Sequence, residues 1–202
     1  YDLYCPSQGL TMMRHGLADG MGLPEEKLRV HAHDVGGGFG IRGEAYSEYC
    51  SLLLAAKKVG RPVKWVSTRS ETFLSDHHGR AAKMYGELAL DKDGKFLAVR
   101  ITGHSDIGGY ATRLAPLFCS LNFAKNGVSV YRTPQFQVSV KVMYTNAHSI
   151  GPYRGAGRPE GNYFMERLVE AAAAEMKIDP VELRLRNHIG NEQFPYQTPV
   201  AT

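Results

Sequence analysis

Two stretches of this sequence carry residue types at spacings suited to holding a ligand. The first is Gly36-Gly37-Gly38-Phe39-Gly40-Ile41-Arg42-Gly43, where Gly38, Gly40 and Gly43 satisfy the spacing of a dinucleotide-binding turn. Glycines let a ligand approach the main chain closely, and the N–H groups of a helix start attract anions. The second is Tyr153-Arg154-Gly155-Ala156-Gly157-Arg158-Pro159-Glu160. Its two arginines, separated by small residues and followed by a helix start, offer fixed positive charge and several N–H donors to one anionic or oxo-rich ligand. Each stretch also has a plainer reading. The glycines can serve a tight turn that lets a helix pack on its strand, and Arg154 and Arg158 can pair with surface carboxylates.

Other chemistry-bearing residues are less suggestive. His31 and His33 share one face of an expected strand and would make a metal set with His104 or Asp106, but alternating histidines also make an ordinary polar strand face. His77-His78 reads as a loop or helix end, and the stripe Tyr46, Tyr49, Leu53 reads as core. Cys5, Cys50 and Cys119 are three in number and far apart, which encodes neither a disulfide framework nor a paired-cysteine zinc site.

The elements that must position these residues follow from periodicity. Residues 28–35 alternate apolar and polar side chains, as in a half-buried strand that runs into the glycines. Residues 44–59 return apolar side chains at helical spacing, with Glu44 and Glu48 at the positive end, Lys57 and Lys58 at the negative end, and Gly60 and Pro62 as the stop. Residues 62–66 read as a second strand, making one βαβ crossover unit with a parallel pair. Residues 82–90 and 96–104 flank Asp91-Lys92-Asp93-Gly94 as an antiparallel hairpin, and residues 136–144 are a further strand. A helix over residues 159–176 starts at Pro159 and Glu160, and Asp179-Pro180-Val181-Glu182 caps one more. The expected architecture is α+β: a mixed sheet with a βαβ unit, antiparallel hairpins and packed helices, forming a single compact domain over 1–202.

A composition with 43% hydrophobic and 22% charged residues is that of an ordinary globular protein, neither disordered nor membranous. A net charge of +4 with interleaved signs lacks the footprint of a nucleic-acid binder. No apolar run is long enough to span a bilayer, and a start at Tyr1 suggests a piece of a longer chain.

The pairing of Val35-Gly36-Gly37-Gly38-Phe39-Gly40 with the later Tyr153-Arg154-Gly155-Ala156-Gly157-Arg158-Pro159-Glu160 resembles the first cofactor-binding domain in the large subunit of molybdenum hydroxylases of the xanthine dehydrogenase and aldehyde oxidase family. Gly60-Arg61-Pro62-Val63-Lys64-Trp65, residues 69–78 and Leu90-Asp91-Lys92-Asp93-Gly94 look like the same family in order and spacing, so the resemblance covers nearly the whole chain. It implies a molybdenum–molybdopterin enzyme, with a cytosine dinucleotide form of the pterin as in bacterial members. Such an enzyme inserts a water-derived oxygen at a carbon–hydrogen bond of an aldehyde or N-heterocycle and passes electrons to iron–sulfur and FAD centres on partner subunits or domains. The family's glutamine near the metal oxo group falls on Gln8. The cofactor contacts fall on Gly37, Gly38, Phe39, Gly40, Arg154 and Gly155, and Glu44 and Ala156 fall near substrate-facing positions. The resemblance implies no direct metal ligand among these side chains. It places the general base in a later domain, so this piece alone would be inactive. The default location is the cytoplasm.

Departures from the family's pattern narrow the substrate. Gly155 stands where carbon monoxide dehydrogenases carry a copper-binding cysteine. Ala156 stands where purine oxidisers carry phenylalanine, and Ser120-Leu121-Asn122-Phe123 lacks their upstream arginine. Two other classes remain beside this reading: a nicotinamide-binding oxidoreductase domain, although Val66-Ser67-Thr68-Arg69 lacks the expected acid, and a cofactor-free scaffold.

Overall fold

The structure, a computed structural model, describes residues 1–200, apart from the side chain of Cys119. The chain divides into two compact units where the sequence leads one to expect one. The first comprises Tyr1–His77 with Gly151–Arg154, and the second comprises His78–Ile150 and the chain from Gly155 onward.

In the first unit, strand β1 (Asp2–Tyr4) pairs in parallel with β2 (Arg29–His31), and helix α1 (Leu10–Met21) makes the crossover. The main chain continues the pairing beyond the strands, since Arg29 N–H donates to Tyr1 O and Cys5 N–H to His31 O. Met13, Leu17 and Ala18 lie on one face of α1 and are buried with Leu3, Leu28, Tyr49 and Leu53. Gly22, at φ 63°, ends the helix with its N–H on Asp19 O, while Leu23 N–H reaches Ala18 O at 2.8 Å. Helix α2 (Ser47–Val59) contributes Tyr49 and Leu53 to the same core and ends at Gly60, as its sequence indicates.

A βαβ unit is therefore present, but not the one read from the sequence. Residues 62–66 form no strand. Pro62 has no N–H for a ladder, and the segment is exposed throughout, with Val66 at 74%, so neither face is buried to reward pairing. It leads instead into helix α3 (Arg69–Ser75), which opens with a capping box: Glu71 N–H donates to Thr68 Oγ1 at 3.2 Å and Thr68 N–H to Glu71 Oε2 at 2.6 Å. The helix expected from residue 44 starts at Ser47, so Glu44 is not in its first turn.

In the second unit, β3 (Ala82–Leu90) and β4 (Phe96–Gly108) form the expected antiparallel hairpin. Asp91 Oδ1 accepts from Asp93 N–H and Lys95 N–H at 2.9 and 2.8 Å, and Gly94 takes the left-handed turn position at φ 80°. Strand β5 (Gln135–Tyr144) adds to β4 in parallel, giving the order β3-β4-β5 and a mixed sheet. The β4 to β5 connection carries a π-helical turn, Leu117–Asn122, and the short α4 (Phe123–Asn126).

Helix α5 (Arg158–Met176) lays Met165, Val169 and Ala173 against Phe96, Val99, Ile101 and Phe123 of this unit. Helix α6 (Pro180–Asn187) begins at Asp179, whose carboxylate accepts from Val181 and Glu182 N–H. The buried Asn187 at its end ties it to the hairpin, accepting from Phe96 N–H and donating to Gly94 O. The α+β class with a mixed sheet, a crossover unit and a hairpin is thus what the chain adopts.

Candidate cofactor-binding site

The glycine-rich loop of the first unit does not open a helix; α2 begins seven residues after Gly40. The loop closes on itself, with Arg42 N–H on Gly38 O at 3.2 Å and Gly43 N–H on Gly40 O at 3.0 Å. Gln8, in the turn between β1 and α1, lies across it. Its main-chain N–H donates to Arg42 O at 3.1 Å, and its side-chain Oε1 accepts from Gly40 N–H at 2.9 Å. With the carbonyl end thus held, the amide Nε2 of this exposed side chain remains as an oriented donor.

The glycines serve this packing. A Cβ at Gly38 would overlap Gln8 Oε1, and one at Gly40, which sits at φ 95°, would overlap Pro152 O. The loop glycines are therefore required first by the approach of other parts of this chain, where the sequence suggested direct approach of a ligand. Gly37 is similar, since a Cβ there would meet the Phe39 ring.

Phe39 is the unusual residue. It holds φ 52° without being glycine, and its ring is 54% exposed. A bulky side chain in the left-handed region, displayed to solvent, is a conformation that the surrounding contacts must enforce. The segment 151–154 runs beside the loop, and the Arg154 guanidinium carbon lies 6.0 Å from the Phe39 ring centroid. Gln8, Phe39, Gly40 and Arg154 are therefore brought together within one unit.

Gly155 and Ala156 belong to the second unit. Gly155, Ala156 and Gly157 form a run of left-handed residues at φ 96°, 45° and 94°. Gly157 is packed against Phe118 O, and Ala156 O accepts from Asn122 Nδ2 at 3.1 Å. Arg158 spends its guanidinium on Gly155 O at 3.3 Å, while Glu160 pairs with Arg80 at 3.4 Å. Arg158 thus steadies its own turn, where a surface carboxylate was the simpler expectation.

Glu44, expected near a substrate-facing position, is buried within the first unit. It is 8% exposed, and its Oε2 lies 3.4 Å from His77 Nδ1. The His77 ring stacks on Tyr46 with centroids 4.7 Å apart, and the Tyr46 hydroxyl donates to Ile41 O in the glycine loop at 3.0 Å. Burial above all, and then Asp76, push the Tyr46 hydroxyl well above its ordinary pKa, so it stays a donor. Sequence reasoning placed His77 in a loop and Tyr46 in a core stripe, and no spacing rule links either to Glu44. His31 bonds Asp2 at 2.8 Å and stacks on Tyr4, and among the described residues no group of three or more His, Cys, Asp or Glu is arranged to hold a metal ion.

A loop held by a glutamine, an exposed Phe in a strained backbone and a neighbouring arginine thus lie together in the first unit. The family model of the molybdopterin cofactor-binding domain matches residues 1–188, and the chain belongs to that family. The chain is 39% identical over 181 residues to the carbon monoxide dehydrogenase large chain of Afipia carboxidovorans, covering 89% of this chain and 22% of that protein. It is 31% identical over 183 residues to the 6-hydroxypseudooxynicotine dehydrogenase complex subunit gamma of Paenarthrobacter nicotinovorans, covering 91% and 23%. Among solved structures, quinoline 2-oxidoreductase from Pseudomonas putida 86 superposes with a TM-score of 0.89 at 30% identity, covering 100% of this chain and 26% of that one. The chain thus spans about a quarter of the length of these relatives.

The nicotinamide reading does not survive. The glycine loop opens no helix, and the sheets are a two-stranded pair and a three-stranded mixed sheet, not a doubly wound one. No helix among the described residues is long and apolar enough to cross a membrane.

Proposed function

We propose that this chain contributes one wall of the molybdopterin site in a molybdenum hydroxylase that oxidises an aldehyde or an N-heterocycle. The observation that carries the reading is the Gln8 latch: Oε1 accepts from Gly40 N–H, in the loop whose exposed Phe39 ring lies 6.0 Å from the Arg154 guanidinium carbon. The residues present fit a pterin bearing a metal-oxo centre and phosphate. The amide and the guanidinium are donors without acceptor capacity at the exposed ends, and the Phe39 ring offers a flat apolar face.

When bound, the molybdenum–pterin group supplies two-electron redox chemistry, replacing a carbon–hydrogen bond by a carbon–oxygen bond with oxygen from water. In this reading Gln8 donates to an oxo-type acceptor, Arg154 balances anionic charge, and the backbone of Gly37, Gly38, Phe39 and Gly40 shapes the contact surface. Gly155 is kept as a cofactor contact and Ala156 as a substrate-facing position on the family resemblance alone, and the general base comes from a later domain. Iron–sulfur and FAD centres on partner subunits or domains would accept the electrons. The pterin carries a cytosine dinucleotide, and the enzyme is cytoplasmic.

Relatives named for quinoline and for a nicotine derivative support an N-heterocycle. Similarity to a carbon monoxide dehydrogenase is higher, but Gly155 replaces the cysteine that copper needs. The test is molybdenum and released pterin from the full-length protein purified with its natural partners. Stoichiometric metal with a pterin nucleotide is expected, and a well-folded assembly lacking both would leave a scaffold role.

A further inference from the structure

A carboxylate removed from water is costly unless partners compensate it, and Glu44 is removed from water with the His77 ring beside it. The Glu44 and His77 side chains are 8% and 7% exposed, with Oε2 and Nδ1 3.4 Å apart. Their place in the chain is more informative than their chemistry. Glu44 directly follows Gly43, whose N–H closes the glycine loop on Gly40 O. The His77 ring stacks on Tyr46, which holds the same loop through Ile41 O. The ring also lies against Gly151: a Cβ there would sit 2.5 Å from Nδ1, so only glycine fits. One residue further on, Pro152 O abuts Gly40, and two beyond that Arg154 meets Phe39. Glycine loop, Glu44, His77, Gly151 and Pro152 thus form a closed ring of contacts that joins the segments carrying Phe39 and Arg154.

We propose that the buried Glu44–His77 pair is a positioning element that fixes the glycine loop and the Gly151–Arg154 segment against each other, and so sets where Arg154 stands relative to Gln8 and Phe39. The proposal rests on the molybdopterin reading above and deepens it. Neither residue meets the cofactor. Both act through the loops, in the way that a shift of about 1 Å in a supporting group can cost about a hundredfold in rate.

The experiment uses the complete enzyme with its natural subunits and reads molybdenum and pterin content, the Mo(V) electron paramagnetic resonance signal, kcat and KM per molybdenum, and melting temperature. His77→Ala removes both the wedge and the partner. It is expected to lower kcat per molybdenum at least about tenfold with KM within about threefold, and to shift the Mo(V) line positions. Glu44→Gln keeps the length and a hydrogen-bonding head and is expected to remain within about threefold, with the wild-type signal. Unchanged kcat and signal in His77→Ala overturn the proposal, as does a lowered melting temperature with unaltered turnover per molybdenum, which would make the pair packing only. If His77→Ala does not fold, His77→Gln decides by the same readouts, because it keeps a polar head but loses the ring against Gly151. Wild-type turnover and signal there overturn the proposal. Absence of molybdenum and pterin from the wild-type enzyme would instead defeat the parent reading.

Discussion

At the scale of single residues, the two central loop glycines answer to different constraints, and substitutions separate them. Alanine at Gly38 would meet Gln8 alone, from the amide oxygen at 2.2 Å back to Cβ at 2.8 Å, so the Gln8 side chain must leave its place and the main chain that bears it must give slightly. Alanine at Gly40 would meet the Pro152 carbonyl, which is backbone, from a φ of 95° that L-residues avoid. The dihedral alone costs about 1–3 kcal/mol. Gly40→Ala is therefore expected to lower the melting temperature of the full-length protein more than Gly38→Ala, whose main effect is to lower molybdenum content by displacing Gln8. Equal melting temperatures for the two variants would contradict this account. Gln8→Ala and Arg154→Ala both remove exposed side chains from an otherwise intact backbone. Each is expected to reduce turnover about a hundredfold without unfolding, the scale of removing one oriented donor from a reacting centre. Full activity and metal content in both would remove the site assignment.

At the scale of elements, helix α3 carries its start signal in the sequence, although the sequence reading does not single it out. Thr68 and Glu71 form a Ser/Thr-x-x-Glu box, yet Val63, Trp65 and Val66 suggested a strand running up to it. The strand failed because it had no partner and no buried face, while the box needed only local contacts. The backbone hydrogen bond from Thr68, with the Thr68 side chain second, holds the Glu71 carboxyl below its ordinary value of 4.5. Since the folded pKa is depressed, this contribution is complete above 4.5 and lost as pH falls through the lower, folded value. Hydrogen exchange at Thr72 and Asp76, whose N–H groups bond Thr68 O and Thr72 O, should lose protection over that interval. Glu71→Gln should flatten the pH dependence, and a variant that still titrates there would implicate another group.

At the scale of the whole molecule, apolar side chains remain uncovered on the first unit: Phe73 at 72% and Leu74 at 78% exposure on α3, beside Val66. Exposed apolar groups favour association when they form a contiguous patch. The 202-residue chain produced alone is expected to bind a hydrophobic dye and to gain soluble yield from Phe73→Ser with Leu74→Ser. No change in dye binding would show that these groups are covered some other way. Local pattern was enough for the hairpin at Asp91–Gly94, the ends of α2 at Gly60 and of α6 at Asp179, and the α+β class, because turns, caps and amphipathic periods are set by neighbours in sequence. The order and spacing of the two glycine-rich motifs likewise carried the family. Helix α1 and the pairing of β1 with β2 were not legible, since a three-residue strand has too few side chains to show a period and its partner is a main-chain choice. Nor was Glu44 legible as one half of a buried pair with His77, thirty-three positions away. Burial and long-range contact decide whether a carboxylate faces substrate or a histidine, and only the folded chain contains both.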